Sequence, residues 1–205
     1  MSMATIYLDY NATTPIDPQV IEAMLPYLRT HYGNPSSDHV YGHAARAAVT
    51  QARDEVAALI GARPEEIVFT GCATEANNLA LLGATRGGRT AMATSAVEHP
   101  SVLQPLRHLA LQGLALIELP VDATGLVDVD HAARLITPQV ALVSVMLANN
   151  EVGTIQPVRA IAELAHAAGA LMHVDAAQAA GKLAIDVNTL GADLLTLAGH
   201  KFYAP

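Results

Sequence analysis

The sequence predicts an α/β fold, a mainly parallel sheet flanked by helices. Short apolar runs alternate with helical patterns from Glu66 to the end of the chain. The runs are continuous rather than alternating, as in strands covered on both faces. Strand, helix, strand repeated at this spacing is the pattern of parallel crossovers. The predicted strands are 66–70 (EIVFT), 89–95, 115–120, 140–147, 170–175 and 193–198. Helices are predicted between them at 74–85, 100–112, 128–136 and 157–168. The last opens on Pro157 and closes at Gly169, a start and stop pair. Two further helices, 17–31 and 42–60, precede the sheet and are joined by the loop 32–39. Asp17-Pro18 supplies a cap followed by proline at the first helical position. A strand-like run at 5–10, TIYLDY, stands apart from the rest.

Composition narrows the function classes. The 205 residues are 52% hydrophobic and 15% charged, which excludes a disordered chain. Complete soluble domains carry about 25% charged residues, so the low value points to a covered surface or to a part of something larger. Net charge is -8, which argues against a nucleic-acid or anionic-membrane surface. The longest apolar run, Val140 to Ala148, falls short of a membrane span. The N-terminal segment lacks a basic region and an apolar core, so no signal peptide is expected and the cytoplasm is the predicted compartment. One cysteine, Cys72, excludes an internal disulfide. Only two lysines occur, Lys182 and Lys201.

Ligands of open parallel sheets bind beyond the carboxyl ends of the strands. Candidate residues there are Thr70 to Glu75, Glu98-His99, Asn149-Asn150-Glu151, Asp175 with Gln178, and Gly199-His200-Lys201. The turn Gly71 to Thr74 could cradle a phosphate on free helix N–H groups, or Thr74 could simply cap the helix. It is no Walker A loop, because Gly-Lys-Ser/Thr is missing, and the G-x-G-x-x-G dinucleotide fingerprint is absent too. Asp175 ends an apolar strand, where a carboxylate calls for a cation: a protonated pyridine, a metal or an arginine. A helix cap or a ribose-binding acid would also fit. Lys201 could form a Schiff base, or lie on the surface as an ordinary lysine. An electron-sink cofactor needs a lysine for the imine, an acid at the ring nitrogen and a phosphate cradle. With His99 to stack on the ring and Asn150 and Gln178 to meet a ring oxygen, the five features together favour pyridoxal 5'-phosphate. His39 and His43 have the i, i+4 spacing of a metal pair but lack a third ligand, so no metal is expected. Cys72 could be a nucleophile or a small buried residue.

Seven segments occur in a familiar order: YLDYNATTP, YGNPSSDHVYGHAAR, IVFTGCATEANNLA, EHPSVL, ANNEVGTIQP, HVDAAQAAGK and GHKFYAP. Together they resemble the cysteine desulfurases of the NifS/IscS type, among the class V aminotransferase relatives, from about Ile6 to Pro205. The resemblance implies the large domain of a pyridoxal-phosphate transferase of fold type I over 16–205, with an arm at 1–15. It implies that Lys201 holds the cofactor as an imine and moves substrate protons, assisted by His99. It places Asp175 at the pyridine nitrogen, Asn150 and Gln178 at the phenolic oxygen, and Ala73, Thr74 and His200 at the phosphate. It further implies L-cysteine as substrate, alanine as product, and sulfur passed as a persulfide to an enzyme thiol. A homodimer and an iron–sulfur scaffold as sulfur acceptor follow on the same ground.

Three features depart from the pattern. Ala198 stands where many relatives have serine, and Ala204 where glycine is frequent. The family chain continues past the position of Pro205 into a small C-terminal domain carrying the catalytic cysteine loop, to which Cys72 does not correspond. Other expectations from the sequence are a non-catalytic pyridoxal-phosphate-binding or interaction module, and a related class V lyase such as selenocysteine lyase.

Overall fold

A computed structural model describes residues 5–85 and 88–205. Two compact units divide the chain: one takes Met1–Val68 and Gly199–Pro205, the other Phe69–Ala198. Residues 1–4 of the predicted arm lie outside the described residues.

The larger unit holds a five-stranded parallel sheet in the order β2-β1-β3-β4-β5. The strands are β1 (Ala91–Ser95), β2 (Ala115–Leu119), β3 (Val140–Met146), β4 (Leu171–Asp175) and β5 (Leu194–Thr196). All seven residues of β3 are buried, as both-face coverage of a central strand requires. The edge strand β2 is half-exposed, so its apolar run overstated its burial.

Helix α3 (Ala73–Ala84) leads into β1, and four helices connect the strands: α4 (Pro100–Leu111), α5 (Val129–Leu135), α6 (Val158–Ala167) and α7 (Val187–Leu190). The four-residue α7 has too little periodicity to be read from sequence. Its cap, Asp186, accepts from Thr189 N at 2.7 Å. Helix α3 packs on α4, and α5 on α6. Leu81, Met92, Val102, Leu106 and Leu142 interlock without solvent exposure at the heart of the core.

The smaller unit is helical, with α1 (Pro18–Arg29) and α2 (Val40–Ile60). Asp17 caps α1 as its sequence predicts, accepting from Gln19 N at 2.7 Å. Gly33 is required by packing, since a Cβ there would stand 2.0 Å from the Tyr41 carbonyl oxygen. Segment 199–205 belongs to this unit. Tyr203 N donates to Thr14 Oγ1 at 2.8 Å and Asp17 N to the Tyr203 carbonyl at 3.0 Å. These two bonds hold Tyr203 at φ 68°, a left-handed conformation that a tyrosine enters at a cost.

Two predicted strands are corrected. Residues 5–10 form no strand: Ala12 N bonds the Asp9 carbonyl at 3.1 Å and closes a turn. Residues 66–70 likewise form no ladder. A 3-10 turn over Pro64–Glu66 draws Ile67 N to the Pro64 carbonyl, and Arg53 Nε donates to the Ile67 carbonyl at 3.3 Å. β propensity without a neighbouring strand leaves backbone groups to whatever local partner is nearest.

Leu142→Ala would leave a cavity between α3, α4 and the sheet. The expected loss is about 3 kcal/mol of unfolding free energy, measured by urea titration; a loss under about 1 kcal/mol would contradict the interlocked core.

Candidate active site at the carboxyl edge of the sheet

Strand order reverses between β1 and β3, and such a switch point opens a crevice beyond the strand ends. Glu98 and His99 follow β1, Asn149 and Asn150 follow β3, and Asp175 closes β4. The parallel register brings Met146 of β3 level with Asp175 of β4.

Asp175 is 5% exposed. Asn77 Nδ2 donates to its Oδ2 at 2.9 Å, and Ala177 N donates to its Oδ1 at 3.0 Å. Both of these donors are neutral. A buried carboxylate so held retains its attraction for a cation, which suits a protonated ring nitrogen.

His99 is exposed and caps α4: its Nδ1 accepts from Ser101 N at 3.1 Å and pairs with Ser101 Oγ at 2.8 Å. Asn77 Nδ2 also reaches Ser101 Oγ at 2.9 Å, so His99 and Asp175 share one hydrogen-bonded network. Neither Asn77 nor Ser101 was singled out in the sequence. The available signal was weak: a polar amide on the inner face of an otherwise apolar helix, and a serine two residues past His99.

Helix α3 begins one residue earlier than predicted, so Thr74 is not its cap. Cys72 occupies the cap position and provides no side-chain bond to the first turn. The opening N–H groups of α3, those of Ala73 and Thr74 among them, have no intrahelical acceptor and suit a phosphate. Glu75 Oε2 accepts from Gly71 N at 2.6 Å. Cys72 itself is exposed rather than buried.

Asn150 Nδ2 donates to Glu151 Oε1 at 2.6 Å. Its neighbour Asn149 organises the loop, with Oδ1 accepting from Glu151 N and Val152 N at 2.9 and 3.0 Å. Gln178 is buried and its Oε1 accepts from Lys182 Nζ at 3.0 Å.

In the smaller unit, Lys201 is half-buried on the 3-10 turn Gly199–Lys201, and its Nζ donates to the Asn11 carbonyl at 3.0 Å. His200 Nδ1 pairs with Thr13 Oγ1 at 3.1 Å, and its carbonyl accepts from Thr14 N and Thr14 Oγ1, both at 2.9 Å. His39 and His43 serve separate partners: His39 Nδ1 accepts from Gly42 N at 3.3 Å, and His43 Nε2 meets Asp38 Oδ1 at 2.8 Å.

Two buried titratable groups flank Asp175. Glu98 accepts from Ser95 Oγ and from Met146 N at 2.8 Å, while its Oε2 finds no partner among the described residues. Burial pushes its carboxyl up to about 8, against those two hydrogen bonds and with the help of the Asp175 charge. His173 lies inside the sheet between Ser144 Oγ at 2.8 Å and Thr196 Oγ1 at 3.1 Å. Burial lowers its imidazole to about 4, the Asp175 charge opposing, so the ring is neutral at pH 7.

A family model for aminotransferase class V matches residues 6–205, and the chain belongs to that family. Cysteine desulfurase IscS of Rickettsia africae is 46% identical over 204 residues, covering 98% of this chain and 50% of that protein. The mitochondrial cysteine desulfurase of Drosophila melanogaster is 47% identical over 204 residues, covering 98% of this chain and 44% of the relative. Among solved structures, a NifS-like protein superposes with a TM-score of 0.95 at 38% identity, over 98% of this chain and 56% of that one. The structure titled SspA in complex with cysteine gives 0.94 at 39% identity, over 98% and 59%. The fold is thus that of the NifS-like proteins. The chain spans about half the length of the curated relatives it matches.

The two shifted groups oppose each other in their effect on stability. His173 takes up a proton on unfolding between about pH 4 and 6.5, so its contribution is lost as pH falls through that window. Glu98 releases one on unfolding between about pH 4.5 and 8, so its contribution is lost as pH rises. Glu98→Gln should therefore have an effect of about 1 kcal/mol or less at pH 5 and stabilise on the order of 5 kcal/mol above pH 8. Urea titrations at the two pH values measure this; equal effects at both would show that Glu98 is not held protonated.

Proposed function

We propose that this chain is the cofactor-binding part of a pyridoxal-phosphate-dependent cysteine desulfurase. The observation that carries the reading is the 45–47% identity, over almost all of this chain, to proteins named as cysteine desulfurases. The buried, hydrogen-bonded Asp175 at the end of β4 gives it a chemical anchor.

On this reading, residues 16–205 form the large domain and 1–15 an arm. Asp175 holds a proton on the ring nitrogen, a role suited to a carboxylate kept from water. Ala73, Thr74 and His200 bind the phosphate. His99 covers the ring face, and Asn150 and Gln178 donate hydrogen bonds to its phenolic oxygen. Lys201 anchors the cofactor through Nζ and afterwards carries protons to and from the substrate. Pyridoxal phosphate, when bound, supplies an electron sink that stabilises negative charge on the amino-acid substrate.

L-Cysteine is the proposed substrate, L-alanine the product, and an iron–sulfur scaffold the onward acceptor of sulfur. Cys72 does not match the family's nucleophilic cysteine, so the persulfide-bearing thiol is assigned outside these 205 residues. A homodimer fits the exposed Leu79, Leu82, Val152 and Ile155, which are large apolar side chains without cover. No helix among the described residues is long and apolar enough to cross a membrane. The cytoplasm remains the proposed compartment.

Borohydride reduction of the chain after incubation with pyridoxal phosphate, followed by peptide mass spectrometry, tests the cofactor assignment. The added mass is expected on Lys201 and not on Lys182, and Lys201→Ala should abolish it. Label on Lys182, or none on a folded chain, would overturn the assignment.

A further inference from the structure

Asn77 is wholly buried on α3, its amide placed between Asp175 and Ser101, the serine that bonds His99. We propose that Asn77 is a positioning residue that joins Asp175 and, through Ser101, His99 into one hydrogen-bonded unit and sets the aim of the Asp175 carboxylate at the cofactor ring. This inference rests on the pyridoxal phosphate reading above.

The directions of the hydrogen bonds follow from one fixed donor. The Ser101 backbone N–H can only donate, so His99 Nδ1, 3.1 Å away, is an acceptor and carries no proton. A neutral His99 ring therefore has its hydrogen on Nε2. The Ser101 hydroxyl gives its single hydrogen to the same Nδ1 at 2.8 Å, leaving its lone pairs for Asn77. One N–H of Asn77 Nδ2 goes to Ser101 Oγ, and the other to Asp175 Oδ2, each at 2.9 Å.

The opposite amide orientation is excluded on charge. It would set Asn77 Oδ1 against the Asp175 carboxylate and leave Ser101 Oγ without its donor. The orientation found leaves Oδ1 buried with no partner among the described residues. That unpaired acceptor is a standing cost, offset by a charge-assisted bond to Asp175 and an oriented serine. With Ala177 N on its other oxygen, Asp175 is held in one rotamer by donors on both sides. Asn77 thus ties the aim of the carboxylate to Ser101, whose own N–H fixes the tautomer of the imidazole.

Two measurements test this. Long-range proton–nitrogen NMR on the 205-residue chain, with the His99 signal assigned by its loss in His99→Gln, should show the Nε2–H tautomer at neutral pH. A proton on Nδ1 would overturn the network. The second measurement is the binding of pyridoxal phosphate against its analogue with carbon in place of the ring nitrogen.

Asn77→Ala, with folding verified by thermal melting, should weaken binding of the natural cofactor by about tenfold or more, the worth of one bond to a charged group. Binding of the carbon analogue should be unchanged. Ser101→Ala, which leaves Asn77 on Asp175, should retain the preference for the ring nitrogen. If Asn77→Ala weakens both ligands equally, its role is structural and the inference falls. Loss of that preference in Ser101→Ala, with Asn77 still in place, would overturn it as well. Failure of the unsubstituted chain to bind pyridoxal phosphate overturns the cofactor reading itself, and this inference with it.

Discussion

The carboxylate of Asp175 is the constraint to which the rest of the larger unit answers. A charge held away from water at the end of a parallel strand must be met by donors in fixed positions. Parallel pairing of β3 and β4 sets its height, and the turn after β4 supplies one N–H. Helix α3 must then approach closely enough for Asn77 to supply another. Leu81, one turn further along α3, is wholly buried in the core and fixes that approach. Core packing and site geometry are consequently the same set of contacts seen from two sides.

A second polar system runs through the sheet beneath this site. Thr94 and Ser144 are paired in register, as are Ser144 and His173, and all three lie in the interior. Thr94 Oγ1 donates to the Ser144 carbonyl at 3.0 Å, and His173 is bonded at both ring nitrogens. Each member is satisfied, which makes such a row tolerable in an apolar core. Charge would not be tolerable there, and the depressed imidazole of His173 expresses that limit.

Most of the architecture was legible because continuous apolar runs and capped helices are local signals. Strands β1 to β5 and helices α1 to α6 lie where the sequence set them, within a few residues. What failed was non-local. The runs at 5–10 and 66–70 have strand composition, yet no neighbour strand reaches them and local turns take their backbone bonds. The candidate site was legible at the strand ends, where costly residues such as Asp175 stand out against apolar surroundings. Asn77 escaped notice because an asparagine on a helix is ordinary until its burial is known. Asn149 stands among the strand-end residues, but its hold on the loop through Glu151 N and Val152 N is a matter of geometry that two adjacent amides do not reveal in sequence.

The smaller unit has a different character, since its pieces lie far apart in the sequence. Thr14 is bonded to the His200 carbonyl across 186 positions, and to Tyr203 across 189. During synthesis the residues around Thr14 emerge well over a hundred positions before their partners exist. Closing so long a loop carries a high entropic cost, which slows folding. The segment bearing Lys201 is accordingly locked later than the helices it closes on, and its arrival completes a clasp whose other jaw was made first.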